Sequence, residues 1–206
     1  MEKKQSGTCH IVGAGDFSPE TLKYETSDLI IAADGGYSLL KKWGIPCDLY
    51  IGDSDSLGYC PEGIDAIVLP KVKDDTDTLA AVKIGLERGY RRFLLYGALG
   101  GKRFSHSVAN LSTLLYLDTH GAKGEILDQN GSVSLLNGGG YSPERKYRYF
   151  SLFPAGGEAL VSISGAKYRG ERISLSSNYP MGVSNEGDEN THIEVHSGKV
   201  FLILDF

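Results

Sequence analysis

Along the first two thirds of the chain, short apolar runs at residues 9–12, 29–33, 66–69 and 93–96 alternate with helix-length segments at 37–43, 76–88 and 105–119. Each run is bounded by Gly, Asp or Pro, and the middle helical segment repeats apolar residues at Leu79, Val82 and Leu86 before Gly89. Strands that alternate with helices in this way bury their apolar faces as a mostly parallel sheet with helices on both sides. In such a sheet, ligands sit beyond the carboxyl ends of the strands, so the loops after the apolar runs are the place to search for chemistry.

The pattern changes near the glycine run Gly138, Gly139 and Gly140, which reads as a hinge. Beyond it the segments 147–152, 159–164, 172–175, 191–196 and 200–204 are short, strand-like and separated by Gly, Pro, Asn and Ser. The spacing predicts an α/β domain over residues 1–137 and a small all-β sandwich over 141–206. A sandwich of that size needs a partner surface, on the first domain or on a second subunit.

Net charge is −5, from 21 Lys plus Arg against 26 Asp plus Glu, which argues against nucleic acid or an anionic membrane as partner. No apolar run approaches the ~20 residues of a membrane span, and the polar start lacks a signal-peptide core. Cytoplasmic residence is the expectation. Cys9, Cys47 and Cys60 have no metal-site spacing and read as reduced thiols. Charge is concentrated: residues 34–77 hold nine acids against four bases, so this stretch carries the whole net charge.

Four loops stand out. Gly52-Asp53-Ser54-Asp55-Ser56 sets two carboxylates one residue apart, either an oxygen-rich cation site or an ordinary polar turn. Lys73-Asp74-Asp75-Thr76-Asp77 enters a helix; its acids can cap that helix or, with an ion, hold phosphate oxygens, Asp74 and Thr76 among them. Asp34-Gly35-Gly36 lets backbone approach a ligand beside a carboxylate, or simply turns from strand to helix. Gly97, Gly100, Gly101, Lys102 and Arg103 lead to His106 and form a plausible phosphate cradle that matches neither a Walker loop nor a dinucleotide fingerprint. The nearest dinucleotide match, Gly13-Ala14-Gly15, has Ser18 where the last glycine belongs. His192, Glu194 and His196 alternate with apolar residues and read as the outer face of a strand, not a metal site. Together the four loops point to magnesium-assisted chemistry on a phosphorylated small molecule.

The ordered set Ala-Asp-Gly-Gly, Gly-Asp-Ser-Asp-Ser, Lys-Asp-Asp-Thr-Asp, the Gly-Gly-Lys-Arg loop with His106, and Gly182-Val183-Ser184-Asn185-Glu186 resembles the thiamine pyrophosphokinase family. The resemblance implies an ATP-binding α/β domain, a thiamine-binding β-sandwich and a homodimer with its active site between subunits. It implies that Asp53, Asp55 and Asp77 hold Mg²⁺ on the ATP phosphates and that Asp34, Gly35 and Gly36 line the same pocket. Lys73 would orient phosphate or hydroxyl. Ser184 would contact the aminopyrimidine of thiamine, and Asn185 would support that turn. Ser105 stands where the family usually has Asp, and the preceding loop is one residue longer. The competing expectations are a metal-dependent phosphohydrolase and a non-catalytic nucleotide or thiamine sensor.

Overall fold

The computed structural model describes residues 6–53, 61, 63–70, 74–100 and 104–206. Contacts between residues divide the chain into two compact units, 1–129 and 130–206.

In the first unit, β1 (Cys9–Val12), β2 (Leu29–Ala33), β3 (Leu49–Gly52), β4 (Asp65–Val68), β5 (Arg92–Tyr96) and β6 (Lys123–Leu127) lie in the order β4-β3-β2-β1-β5-β6. Every pair among them is parallel. Among the described residues the α-helices are α1 (Gly36–Trp43), α2 (Asp77–Glu87) and α3 (Phe104–Thr119). Side chains alternate across a strand, so each strand feeds two cores. On one face Val12, Ile30, Ala32, Tyr50 and Tyr96 pack with Leu40 of α1 and with Phe17. On the other, Phe93 and Cys9 meet Gly85 of α2 so closely that a Cβ there would stand 2.6 Å from the Phe93 ring. Leu114 and Leu117 of α3 meet Gly124 of β6 on that same side. The αβα layering expected from the apolar periods is what forms, and β1, β2 and β3 are buried along their whole length as a parallel sheet demands.

The second unit is antiparallel. Strands β7 (Gly131–Leu136), β9 (Tyr149–Pro154) and β13 (Val200–Asp205) form one sheet in the order β7-β13-β9. Strands β8 (Gly139–Tyr141), β10 (Glu158–Ala166), β11 (Gly170–Ser176) and β12 (Gly187–Ser197) form a second in the order β11-β10-β12-β8. Phe150, Leu152, Leu202 and Leu204 of the first sheet share a core with Val161, Leu175, Ile193 and Val195 of the second, which makes the expected sandwich. His192, Glu194 and His196 are exposed, with Thr191, Ile193 and Val195 buried between them, as the alternation requires.

The glycine run is not a hinge between the units. β7 pairs with β13 over its full length and so belongs to the second unit, which begins at Asn130. Gly138 and Gly139 take φ of 73° and 81°, turning the chain from β7 in one sheet to β8 in the other. Left-handed backbone at two consecutive positions makes glycine the residue for that sandwich corner.

Candidate functional site

All six strands of the first unit point the same way, so their carboxyl ends share one edge, and the loops leaving β1, β2, β3, β4 and β5 open there. The order reverses between β1 and β5, the kind of switch point where a crevice forms. Backbone lines it. The Gly13 amide donates to the Tyr96 carbonyl at 2.8 Å and the Gly15 amide to the Gly97 carbonyl at 2.9 Å. A Cβ on Gly97 would stand 2.5 Å from the Gly15 oxygen, and one on Gly36 would stand 1.9 Å from the Val12 oxygen. Neither position admits a side chain.

Asp34 caps β2 in left-handed backbone, φ 52°, a conformation that Asp tolerates better than most residues. Its amide donates to the Ile51 carbonyl of β3 at 2.8 Å, and its own carbonyl accepts from Tyr37 in α1 at 3.3 Å. Asp53 leaves the neighbouring strand, and a Cβ on Gly52 before it would lie 3.2 Å from the Asp34 Cα. The two half-buried carboxylate residues therefore follow adjacent strand ends. Asp77 opens α2, and Thr76 caps it, its Oγ1 accepting from the Leu79 amide at 3.2 Å. Asp74 is exposed, whereas Asp75 is paired with Lys83 of α2 at 2.5 Å. That contact raises the Lys83 pKa. Asp55 and Lys73 lie outside the described residues.

The donor chemistry suits a hard divalent cation, because Asp34, Asp53 and Asp77 offer only carboxylate oxygen. Among the described residues no three such side chains stand together closely enough to hold one.

After β5, Gly97 and Gly100 both adopt left-handed backbone, φ 58° and 67°. α3 fastens this loop: the Asn110 Nδ2 donates to the Ala98 carbonyl at 2.6 Å and the Ser107 hydroxyl to the Gly100 carbonyl at 3.4 Å. His106 is half-buried in the first turn of α3. Gly101, Lys102 and Arg103 lie outside the described residues.

The second unit carries the other predicted pair. Ser184 is exposed in left-handed backbone, φ 55°, and its amide donates to the Ser151 hydroxyl at 3.0 Å. Asn185 is buried, and its side-chain amide clasps the Tyr168 backbone, accepting from the Tyr168 amide at 2.9 Å and donating to its carbonyl at 2.7 Å. A salt bridge of 2.6 Å from Lys167 to Glu186 extends the clasp. Asn185 thus shapes the Ser184 turn from inside. Next to it opens a mainly apolar cavity of about 300 Å³ bordered by Phe150, Ile163, Tyr168, Ile173 and Val183.

Residues 21–126 match the family model for the thiamin pyrophosphokinase catalytic domain, and residues 141–200 match the model for the thiamin pyrophosphokinase vitamin B1 binding domain. The chain belongs to the thiamin pyrophosphokinase family. Membership makes it an enzyme, a transferase with the thiamin diphosphokinase activity of thiamin diphosphate synthesis. Solved structures of similar fold include thiamine pyrophosphokinase from Bacillus subtilis, 22% identical, covering 96% of this chain and 98% of that one with a TM-score of 0.86. The enzyme from Geobacillus thermodenitrificans is 23% identical over 97% of each chain, TM-score 0.85, and that from Candida albicans is 16% identical over 97% of this chain and 89% of that one, TM-score 0.79. No curated protein sequence matches the chain.

Within the thiamin pyrophosphokinase catalytic match, Asp34, Asp53 and Asp77 share the strand-end edge with Gly35, Gly36, Gly97 and Gly100. Ser184 and Asn185 fall in the vitamin B1 binding match. Sequence reasoning passed over three contributors. Gly13 and Gly15 hold the turn after β1 against the end of β5 and the loop that follows it, and the incomplete fingerprint after a strand was their one signal. Asn110 carries no signal, because a polar residue in a helix reads as surface, yet it is only 6% exposed.

Proposed function

We propose that the chain transfers the diphosphoryl group of ATP to the hydroxyl of thiamin, giving thiamin diphosphate and AMP, in the cytoplasm. The observation that carries the reading is the match of both family models to a chain whose acid- and glycine-bearing loops leave one edge of a parallel sheet. The thiamin hydroxyl gives up its proton to solvent as its oxygen attacks the β-phosphorus, a new O–P bond forms, and the bond from that phosphorus to the oxygen shared with the α-phosphorus breaks, so that AMP leaves with that oxygen. Such transfers need alignment and charge neutralisation more than covalent help from the protein.

Asp53, Asp55 and Asp77 would hold Mg²⁺, which when bound neutralises phosphate charge as the transfer proceeds. Asp34 joins the same edge, beside glycines whose backbone packs too closely on its neighbours to carry side chains. Asp74, Thr76, Lys102, Arg103 and His106 complete the nucleotide site, and Lys73 orients phosphate or hydroxyl. Ser184 contacts the aminopyrimidine from a turn that the Asn185 amide keeps in shape. Exposed Tyr168, Tyr179, Met181 and Val183 surround that turn, an apolar surface that suits a homodimer with each site completed by a second copy. Free thiols at Cys9 and Cys47 suit a reducing compartment.

Asp53→Ala and Asp55→Ala are expected to lower AMP release at saturating Mg²⁺ by about 100-fold or more while leaving the fold unchanged. Near-normal turnover in both variants would remove the ion site from this reading.

A further inference from the structure

The apolar cavity of about 300 Å³ beside the Ser184 turn lies within the sandwich of the second unit. It opens between β11, an edge strand of one sheet, and residues 181–183, which run beside β9, an edge strand of the other; the Leu152 amide of β9 donates to the Gly182 carbonyl at 2.7 Å. Strand register explains the space. Ile163 of β10 borders the cavity and stands opposite Gly170 of β11, and opposed residues of an antiparallel pair set their side chains on the same face. A position that calls for a core side chain therefore offers only hydrogen. The register also shifts between Ile163 and Val161, and such a bulge bends a strand away from its partner. Nothing in the backbone demands glycine there, because a Cβ on Gly170 would meet only the Ile173 side chain, at 3.3 Å.

Among the described residues that border the cavity none is charged. The Asn185 side-chain amide, which also borders it, commits its oxygen and its nitrogen to the Tyr168 backbone. A charged ligand would lose its water there without replacement, which keeps out phosphate and the cationic ring of thiamin. An apolar cavity of about 150 Å³ already accepts benzene. We infer that this cavity is a second ligand site, separate from Ser184, for an uncharged molecule of one or two apolar rings. Met181 and Val183 form one wall and are 54% and 47% exposed. An occupant gives them packing partners and so restrains the turn that carries Ser184, the next residue. A turn restrained beforehand costs less to order, so the occupant tightens thiamin. The effect on thiamin rests on the proposed reaction, whereas binding of the occupant does not.

The test adds toluene to the full chain and follows calorimetric heat and melting temperature, with benzoate and benzylammonium as charged rings of similar size. Toluene is expected to bind once per chain and raise the melting temperature, and the charged rings to bind at least about tenfold more weakly. At saturating toluene the thiamin KM is expected to fall about fivefold with the ATP KM unchanged. Gly170→Leu places a side chain where the register leaves space, and is expected to abolish toluene binding while keeping or raising the melting temperature. If that variant does not fold, Ile173→Phe, which enlarges a bordering side chain, decides. No toluene binding by the unaltered chain, equal binding of the charged rings, or undiminished binding in a folded filled variant overturns the inference. So does a thiamin KM that toluene leaves unchanged or raises, the latter because the cavity would then be thiamin's own. A chain that binds toluene as expected but makes no thiamin diphosphate contradicts the proposed reaction alone, and thiamin binding by calorimetry then reads the effect of toluene.

Discussion

His10 lies in the middle of β1, 1% exposed and stacked on Tyr96 at 5.9 Å between ring centroids. Its Nε2 is 3.2 Å from Asp28 and its Nδ1 is 3.2 Å from the Tyr96 hydroxyl. One neutral tautomer satisfies both, donating to the carboxylate and accepting from the phenol. Burial pushes the His10 pKa below its ordinary 6.5, against the opposing pull of Asp28. For Asp28 burial pushes upward, but hydrogen bonds from the Thr8 and Glu25 amides and from His10 hold it below 3.8. Both groups are depressed in the folded chain, so the unfolded chain takes up protons first. Stability is then fully present above pH 6.5 and is lost as pH falls through the folded His10 value, with a further loss below 3.8. Urea unfolding at stepped pH values checks this. His10→Gln is expected to flatten the slope just below pH 6.5, and an unchanged slope would contradict the assignment. Ser184 makes a second test at this scale, because its left-handed backbone costs glycine nothing. Ser184→Gly is expected to raise the thiamin KM while leaving the melting temperature at or above that of the parent.

At the scale of elements, the N-terminus of α2 and the turn into α1 separate two sources of stability. Thr76→Ala removes the capping oxygen and is expected to cost about 1 kcal/mol in denaturant unfolding. Gly36→Ala is expected to cost more, because its Cβ would collide with the Val12 carbonyl, which belongs to β1 and cannot swing aside. The same elements show what was legible beforehand. β1 and β2 fall where their apolar runs lie, because buried parallel strands are nearly all apolar. α2 follows from its period and from Thr76 and Gly89 at its ends. β8 was not legible: a Gly-Gly-Tyr strand has no alternation to show, and it exists because β12 offers it a partner. The domain edge moved for the same reason, since strand pairing across β7 and β13 outweighs the flexibility that three glycines suggest.

For the molecule as a whole, the parallel sheet converts short motifs far apart in the chain into neighbours along one edge, and this is why ordered loops were a better guide to the site than any single loop. Asp34 and Asp53 were legible as strand-end acids, and β2 and β3 pair directly. What stayed hidden was backbone packing: the contact of Gly13 and Gly15 with Gly97 arises where strand order reverses, and reversal is a property of topology. Fully buried Cys9, its thiol pKa pushed far up by burial, and Cys47, pushed up to about 11, stand among the packing residues and offer no reactive thiolate. The reaction proposed for the chain moves a diphosphoryl group between two substrates. It is tested most directly by incubating the chain with ATP, Mg²⁺ and thiamin and following AMP and thiamin diphosphate together. The account predicts the two products in equal amounts and no AMP without thiamin; AMP formed at the same rate in the absence of thiamin would contradict it.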